Sequence, residues 1–442
     1  MTDSEAYCRS TCEELAGLAV FSGLRKDPLL RAFVKLLKPE SAERGCGPLV
    51  AGWARFTALY ARYACEAPFY RILYRLALAD VNSFTLAAER DDWDGGGFLA
   101  ALVANDLAAL SRVATFDFRR LAGFYSELFC GAGKEALARI SSEARLLAEA
   151  GIQAADDRWT PAAFAAFIRE NGAGDLAGHR MFCIEDGKLR PAANSDPVRL
   201  AGMSGYTAER QVVISNTLRF LSAGGGKDAA NLPRANNILL YGDRGCGKSA
   251  TVKAVCNEYA ERGLRLVELR KAELASLPTV MGMLAGRGLR FILFIDDLSF
   301  DAGDGDFMML KATLEGGIET MPPNVVIYAT SNRRHFVKEP RSDRPESTGD
   351  VRAFDTMQEQ LSLADRFGVT VIFSSPSQDE YLRIAEFIAR RHGALPEDAD
   401  AARLQTFREN ALRWERWFNG RSPRTAAQFV EWLSGGDDFP WE

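Results

Sequence analysis

The chain has 442 residues, 47% of them hydrophobic and 26% charged, and a formal net charge of −5. This length is enough for two or three domains with their own cores, and the composition is ordinary for a soluble globular protein. The charge offers no overall attraction to nucleic acid or to an anionic membrane. Asn105 and Asp106 interrupt the apolar segment 98–110, and the first residues lack the basic start of a secretory signal. We therefore expect a cytoplasmic protein without a membrane span.

The eight cysteines and three histidines are scattered along the chain. Cys8 and Cys12 are spaced for one helical face, but no further cluster of cysteine or histidine completes a zinc site. We therefore expect free thiols and no histidine-based catalytic centre.

Residues 1–180 are rich in alanine, leucine and aromatic side chains at helical spacing, with breaks at "RGCGP" and "DWDGGG". This pattern predicts a mainly helical domain without catalytic spacing, whose expected role is the recognition of an unknown protein partner. Residues 181–197 are predicted to form a hairpin and linker, with Asp186 and Gly187 in the turn.

Five short apolar runs follow in residues 198–375: "NILLYG", "LRLVELR", "RFILFIDD", "NVVIYATSN" and "GVTVIFSS". Runs of this length and composition are typical of strands that are buried on both faces of a parallel sheet. The prediction is an α/β domain with a five-stranded parallel sheet flanked by helices. Residues 376–442 are predicted to form a small helical lid, in which Ser377 and Ser422 begin two of the helices.

The sequence from Gly242 to Ser249 fits the phosphate-binding pattern G-x-x-x-x-G-K-[ST] at every fixed position. Glycines allow successive backbone amides to point at a phosphate, and the following helix adds the positive end of its dipole. Lys248 supplies a cation for phosphate oxygens, and the Ser249 hydroxyl supplies a ligand for Mg²⁺. A predicted strand precedes the loop and a predicted helix follows it, which is the context this motif requires. We therefore expect ATP and Mg²⁺ as cofactors.

Two acids end the third apolar run, in which "FILFIDD" closes with Asp296 and Asp297. Asp296 is the expected carboxylate on the magnesium side of the site, and Asp297 is placed to polarise an attacking water. The alternative is that the two acids merely face solvent at the end of a strand. The five apolar residues before them, which indicate a buried strand, disfavour it.

Further polar residues follow the later strands and begin the last helix. "VVIYATSN" ends in Thr330, Ser331 and Asn332, whose side-chain amide is expected to help orient the water. Arg366 precedes the last strand and is expected to reach the nucleotide of a neighbouring subunit, where an arginine stabilises the transferring phosphoryl group. Arg424 lies in the first turn of a helix, where a cation opposes the dipole, so we expect it to contact phosphate.

This order of motifs resembles that of the AAA+ ATPases. The sequence of the motifs is similar to that of the uncharacterised bacterial family catalogued as domain of unknown function 815. Stretches that resemble the family include "NNILLYGDRGCGKSATVKAV", "DDLSF", "LKATLEGG", "LSLADRFG" and "PRTAAQFV", and the resemblance covers roughly residues 180–435. It implies that a homo-oligomer forms through the arginine finger and that the site holds ATP and Mg²⁺. The residues expected to bind the nucleotide are Gly205, Tyr206, Gly242, Asp243, Arg244, Gly245, Cys246, Gly247, Lys248, Ser249 and Ala250. Those expected to bind the metal are Ser249 and Asp296, and those expected to take part in catalysis are Asp297, Asn332, Arg366 and Arg424.

The chain departs from the usual AAA+ pattern because Asp297 stands where a glutamate is common, and a shorter acid favours slow hydrolysis. The function expected is an AAA+ type ATPase that couples Mg²⁺-dependent ATP hydrolysis to the remodelling of a partner. Two alternatives remain open: a nucleotide-gated switch or scaffold with little hydrolysis, and a P-loop kinase for a small molecule. The basic loop 333–344 allows contact with nucleic acid, although its acids dilute the charge.

Overall fold

A computed structural model describes most of the chain. The described residues are 2–38, 46–63, 68–128, 134–149, 157–222, 235–298, 310, 313–314, 321–332, 366–418 and 420–435. The chain divides into two compact units, Met1–Gly178 and His179–Glu442.

The described part of the first unit is built from nine α-helices, α1 to α9. Their bounds are Asp3–Ala16, Pro28–Leu37, Cys46–Tyr63, Phe69–Ala79, Ser83–Glu89, Gly97–Ala114, Phe118–Leu128, Lys134–Glu149 and Pro161–Asn171. The core is rich in aromatic rings. Phe33 on α2 is fully buried, and its ring centroid lies 4.9 Å from that of Phe116 and 5.1 Å from that of Phe69. Edge-on and tilted pairs of this kind stabilise a core beyond the area they bury.

Helix α6 is the one described helix that is long and apolar enough to cross a membrane by length and composition alone. Inside the first unit it packs as a core helix, with Val103, Leu107 and Leu110 fully buried. The carboxylate of Asp106, 4% exposed, accepts hydrogen bonds from the backbone amides of residues 19–21 at 2.7–3.1 Å. The acid that interrupts the apolar segment therefore fastens α6 to the turn after α1.

We predict that Asp106→Ala lowers the free energy of unfolding by about 3 kcal/mol, because it leaves the buried amide of Phe21 and the part-buried amides of residues 19 and 20 without their acceptor. Urea unfolding of the full chain, with amide hydrogen exchange at residues 19–21 as the local probe, measures the loss. Asn105→Ala is the control, since Asn105 is the exposed neighbour on the same helix. Equal stability of the two variants would contradict the structural role of the carboxylate.

The second unit is an α/β domain around a seven-stranded, mostly parallel sheet in the order β2-β1-β4-β5-β6-β3-β7. Strands β1 to β7 are Met181–Glu185, Lys188–Pro191, Ile238–Gly242, Leu264–Glu268, Arg290–Ile295, Val325–Ser331 and Val369–Phe373. All residues of β3 and β6 are buried, as expected for central strands that are covered on both faces.

The prediction of a five-stranded sheet is wrong by two strands. The segment that the sequence indicated as a hairpin and linker joins the sheet, since β1 pairs in parallel with β4 and β2 closes this edge antiparallel to β1. Asp186 and Gly187 form the hairpin turn, both with positive φ, at 51° and 69°. A turn with two positive φ values matches the twist of paired strands. The buried side chains of Met181, Phe182 and Ile184 hold β1 in place.

Six described α-helices complete the second unit. Helices α10 to α15 are Thr207–Ser222, Lys248–Tyr259, Leu277–Ala285, Gln378–Arg391, Ala401–Trp417 and Pro423–Gly435. The last three form the predicted lid bundle. The Ser377 hydroxyl accepts the amide of Glu380 at the start of α13, and the Ser422 hydroxyl accepts the amide of Thr425 at the start of α15. Both helix starts therefore lie where the capping pattern indicated.

Candidate functional site

The lysine, the two acids and the asparagine singled out in the sequence lie at or just beyond the carboxyl ends of three neighbouring strands. The strands β5, β6 and β3 are consecutive in the sheet, and all three run parallel. Parallel strands bring their carboxyl ends to one edge, where open α/β sheets bind ligands. The acids after β5, the polar end of β6 and the loop after β3 therefore meet.

The loop after β3 has a backbone that only glycine fits at its start. Gly242 has φ of 136°, and a Cβ there would lie 2.1 Å from the carbonyl oxygen of Phe373 on β7. Gly245 has φ of 79°, and a Cβ there would lie 2.8 Å from the Ser422 hydroxyl. The glycines thus let the loop press against strand β7 on one side and the start of α15 on the other.

Four consecutive backbone amides at the end of this loop, residues 247–250, donate to no acceptor among the described residues. They form the amino-terminal turn of α11, where the helix dipole is positive. Adjacent amides without acceptors at such a terminus favour an anion.

Lys248 is 5% exposed, and its ammonium lies at the centre of the site. It donates hydrogen bonds to the carbonyl oxygens of Gly242 and Asp243, at 2.9 and 2.8 Å, and to Oδ1 of Asn332 at 2.8 Å. Burial lowers the pKa of Lys248, while the neighbouring negative charges oppose that shift. No carboxylate neutralises the ammonium through a salt bridge within the described part of the chain.

A second cluster joins the Ser249 hydroxyl to the first acid. Ser249 Oγ donates to Oδ1 of Asp296 at 2.6 Å, and Thr330 Oγ1 donates to the same oxygen at 2.6 Å. The hydroxyl of Ser249 and the carboxylate of Asp296 therefore face each other, as two oxygen ligands of one hard cation would.

Asp297 lies beside this cluster with its backbone in the left-handed region, at φ 52°. Its amide donates to Thr330 Oγ1 at 2.9 Å, and its carboxylate accepts a hydrogen bond of 2.6 Å from Nδ2 of Asn332. Because Oδ1 of Asn332 accepts from Lys248, the amide of this one side chain connects the lysine with the second acid.

Thr330 is a site residue that the sequence reasoning did not assign. Its hydroxyl connects the Asp296 carboxylate with the Asp297 backbone, so it holds the two acids in a fixed relation. The available signal was a hydroxyl at the polar end of a buried strand. Its partner was not readable, because the sequence does not state that β5 and β6 are adjacent.

The lid touches the loop directly through the first turn of α15. The Arg424 amide donates to the carbonyl oxygen of Gly245 at 3.3 Å. The Arg424 side chain is exposed, and it forms no ion pair or hydrogen bond with the described residues. This places an unpaired guanidinium at the start of a helix, beside the glycine-rich loop.

Gly205 and Tyr206 lie beside the loop on the lid side. Gly205 contacts Ile384 of α13, and the Tyr206 hydroxyl donates to the carbonyl oxygen of Ser374 at 2.6 Å. Tyr206 has a positive φ of 52°, and burial strongly raises its pKa. The segment therefore lies against the connection between β7 and the lid.

The remaining predicted loop residues have different surroundings. The Asp243 carboxylate accepts hydrogen bonds from the amide and hydroxyl of Ser375, at 3.0 and 2.6 Å. Cys246 is buried, Arg244 is exposed, and Ala250 lies in the first turn of α11. The bond to Ser375 fastens the loop to the segment that leads into the lid, a contact with no signal in the sequence.

The structure does not bring Arg366 to this site. Arg366 is exposed and precedes β7, whereas the glycine-rich loop adjoins the carboxyl end of that strand. The four residue steps of β7 separate the two ends of the strand by about 13 Å. The basic loop 333–344 lies outside the described residues.

Fold and site together define an α/β protein with a glycine-rich loop, a buried lysine and two acids at the carboxyl edge of a mostly parallel sheet. The family model described as "Protein of unknown function (DUF815)" matches residues 178–437, more than half of the chain. The chain belongs to this family, which confirms the part of the sequence resemblance that concerned this family. No curated protein matches the chain.

Proposed function

We propose that the second unit is an AAA+ type ATPase, which binds ATP with Mg²⁺ and couples hydrolysis to the remodelling of a protein partner. One observation carries the proposal: the loop that holds the buried Lys248 ammonium ends in four consecutive amides with no acceptor among the described residues, and Ser249 in the same turn pairs with Asp296. Cations and amide dipoles suit a polyphosphate, and the hydroxyl and carboxylate suit its magnesium.

The donor set fits the two groups that the proposal requires. The amides of residues 247–250 and the Lys248 ammonium would hold the phosphates, while Ser249 Oγ and the Asp296 carboxylate would hold Mg²⁺. A cation that keeps several waters needs few protein ligands, so one hydroxyl and one carboxylate suffice. When bound, the magnesium neutralises negative charge on the phosphate oxygens.

The remaining side chains fit the roles of a hydrolytic site. Asp297 supplies an exposed carboxylate for the proton of an attacking water, and Asn332 orients that carboxylate through its 2.6 Å hydrogen bond. Thr330 positions both acids, because its hydroxyl bonds to the Asp296 carboxylate and to the Asp297 amide. Gly205 and Tyr206 are proposed to border the adenine, and Arg366 is proposed to act on the nucleotide of a second copy of the chain.

The contact between α15 and the loop supports a coupling of the lid to the nucleotide. The Arg424 amide bonds to a carbonyl of the loop itself, so this hydrogen bond links the lid directly to the loop. The exposed Arg424 guanidinium interacts unfavourably with the positive end of the helix dipole. Contact with a phosphate group would offset that cost.

Arg424→Ala is expected to lower the rate of ATP hydrolysis by about 100-fold, the loss seen when one donor to a developing negative charge is removed. Phosphate release by the purified protein measures it. Arg416→Ala is the control, because Arg416 is an exposed arginine on α14. If both variants release phosphate at the parent rate, Arg424 has no role in hydrolysis.

The lowered pKa of Lys248 predicts a pH dependence of ATP affinity. Phosphate oxygens favour the charged ammonium, so binding raises this pKa from its depressed value and takes up a proton between the two values. Affinity is therefore expected to fall as the pH rises through this window. Titration calorimetry in two buffers of different ionisation enthalpy counts the protons.

Lys248→Arg gives the comparison, since a guanidinium stays charged across the same range. Any residual affinity of that variant is expected to be independent of pH in this window. An equal pH dependence in both proteins would assign the titration to another group.

A second candidate function is a nucleotide-gated switch that binds ATP and hydrolyses little of it. The observation that favours it is the short Asp297 side chain, whose carboxylate already accepts a bond from Asn332. Phosphate release by the unaltered protein with Mg·ATP separates the two. Sustained turnover that stops when magnesium is chelated supports the ATPase, whereas binding without turnover supports the switch.

A further inference from the structure

A groove in the first unit, between α1 and α2, has the features of a binding site for a ligand unrelated to the nucleotide. It is half-enclosed and has a volume of about 290 Å³. Its floor is apolar, with Leu15, Leu24, Leu30 and Val34 among its lining residues. A volume of this size is at the lower end of small-molecule sites.

The charged residues that the structure describes on the rim of the groove are all positive. Among the described residues, four cations line the groove and no carboxylate does, although acidic residues outnumber basic ones in the whole chain. They are Arg25, Arg31, Lys35 and Lys38.

Three of these cations have no anionic partner in the part of the chain that the structure describes. The Arg25 guanidinium donates to the carbonyl oxygen of Ala16 at 3.0 Å. A neutral carbonyl satisfies one of its donors but does not neutralise its positive charge. Arg31 and Lys38 form no ion pair or side-chain hydrogen bond with the described residues, and both are exposed. A cluster of cations over an apolar floor attracts an anion that carries an apolar tail.

We propose that the α1–α2 groove binds a single-chain anionic amphiphile, with its tail on the leucine floor and its carboxylate among Arg25, Arg31 and Lys38. The volume favours one short chain over the longer apolar face that a docked amphipathic helix buries. The site lies wholly within the first unit, so it stands independently of ATP binding.

Decanoate is the probe, and the full chain is titrated with it by calorimetry. Decanol, with the same tail and no charge, is expected to bind at least about 10-fold more weakly, because it lacks the charge-assisted hydrogen bonds. The double variant Arg31→Ala/Lys38→Ala is expected to lose decanoate affinity by about the same factor. The matched control Arg55→Ala/Arg145→Ala removes two exposed arginines elsewhere in the first unit and is expected to bind decanoate normally.

Cys12 supplies a local readout, since this half-buried thiol lines the groove. Decanoate is expected to slow its alkylation, followed by mass spectrometry of the peptide that contains it, and decanol at the same concentration is expected to slow it less. Equal binding of decanol and decanoate, unchanged affinity in the double variant, or unprotected Cys12 would each overturn the proposal. Binding of an acidic helical peptide of glutamate and leucine without binding of decanoate would also overturn it and assign the groove to a protein partner.

Discussion

Replacing Lys248 with alanine is expected to weaken the binding of Mg·ATP by about 100-fold, the equivalent of losing charge-assisted hydrogen bonds to phosphate. The ammonium already lies within hydrogen-bonding distance of three oxygens of the site, so its position is set before any ligand arrives. Titration calorimetry with Mg·ATP measures the affinity of the variant.

The control for this substitution is Lys253→Ala, which removes a lysine from the same helix, α11. Lys253 is expected to be dispensable, because it lies a turn beyond the glycine-rich loop. Thermal unfolding of both variants checks that the fold survives. Removal of a buried charge whose pKa is depressed relieves a desolvation cost, so Lys248→Ala is expected to remain folded. Parental affinity in a folded Lys248→Ala protein would remove the lysine from the site.

Asp297→Asn is expected to separate binding from turnover. The amide has nearly the shape of the carboxylate but does not accept a proton, so hydrolysis is expected to fall by about 100- to 10,000-fold, the usual contribution of a general base. Affinity for Mg·ATP is expected to change little, because Asp296 and Ser249 supply the oxygens proposed to hold the cation. Phosphate release and calorimetry on the same preparation measure the two effects.

Asp398→Asn makes the same chemical change at an exposed acid of the lid and serves as the control. Hydrolysis that persists in Asp297→Asn at the rate of this control would show that Asp297 is not the base. The site would then retain nucleotide binding alone, which is the second candidate function.

The strand ends and the glycine-rich loop were predictable because local sequence determines them. A buried parallel strand is a short apolar run, and the residues after it must be polar if they face a ligand. Asp296, Asp297 and Asn332 follow such runs directly. The positive φ values of Gly245 and Gly247 were likewise predictable, because glycine adopts positive φ more readily than other residues.

Other features depend on which strands become neighbours, and no local pattern states that. Thr330 is a site residue because β6 lies next to β5, so its hydroxyl reaches Asp296. The β1–β2 hairpin and its turn were predicted, but as an isolated hairpin outside the sheet, because its short strands carry no sign of a partner. It belongs to the sheet because β1 pairs with β4, more than 70 residues further along the chain.

The contact between lid and loop was predictable only in part. The sequence placed Arg424 in the first turn of a helix, where its charge opposes the helix dipole. In the structure that turn contacts the loop, since the Arg424 amide donates to the carbonyl of Gly245. The Asp243–Ser375 bond that also joins loop and lid carried no sequence signal, since serine and aspartate are common in turns. Arg366 stays a prediction, because its proposed target is a second copy of the chain.

Residues 242–250 are proposed to hold a triphosphate, and Ser249 and Asp296 its magnesium; titration calorimetry of the unaltered protein with Mg·ATP tests this most directly. We expect one nucleotide per chain, with binding that weakens sharply when magnesium is chelated and that is lost at the same concentrations in Lys248→Ala. An absence of binding heat at several temperatures in a folded protein, or equal binding in the Lys248→Ala variant, would contradict the account.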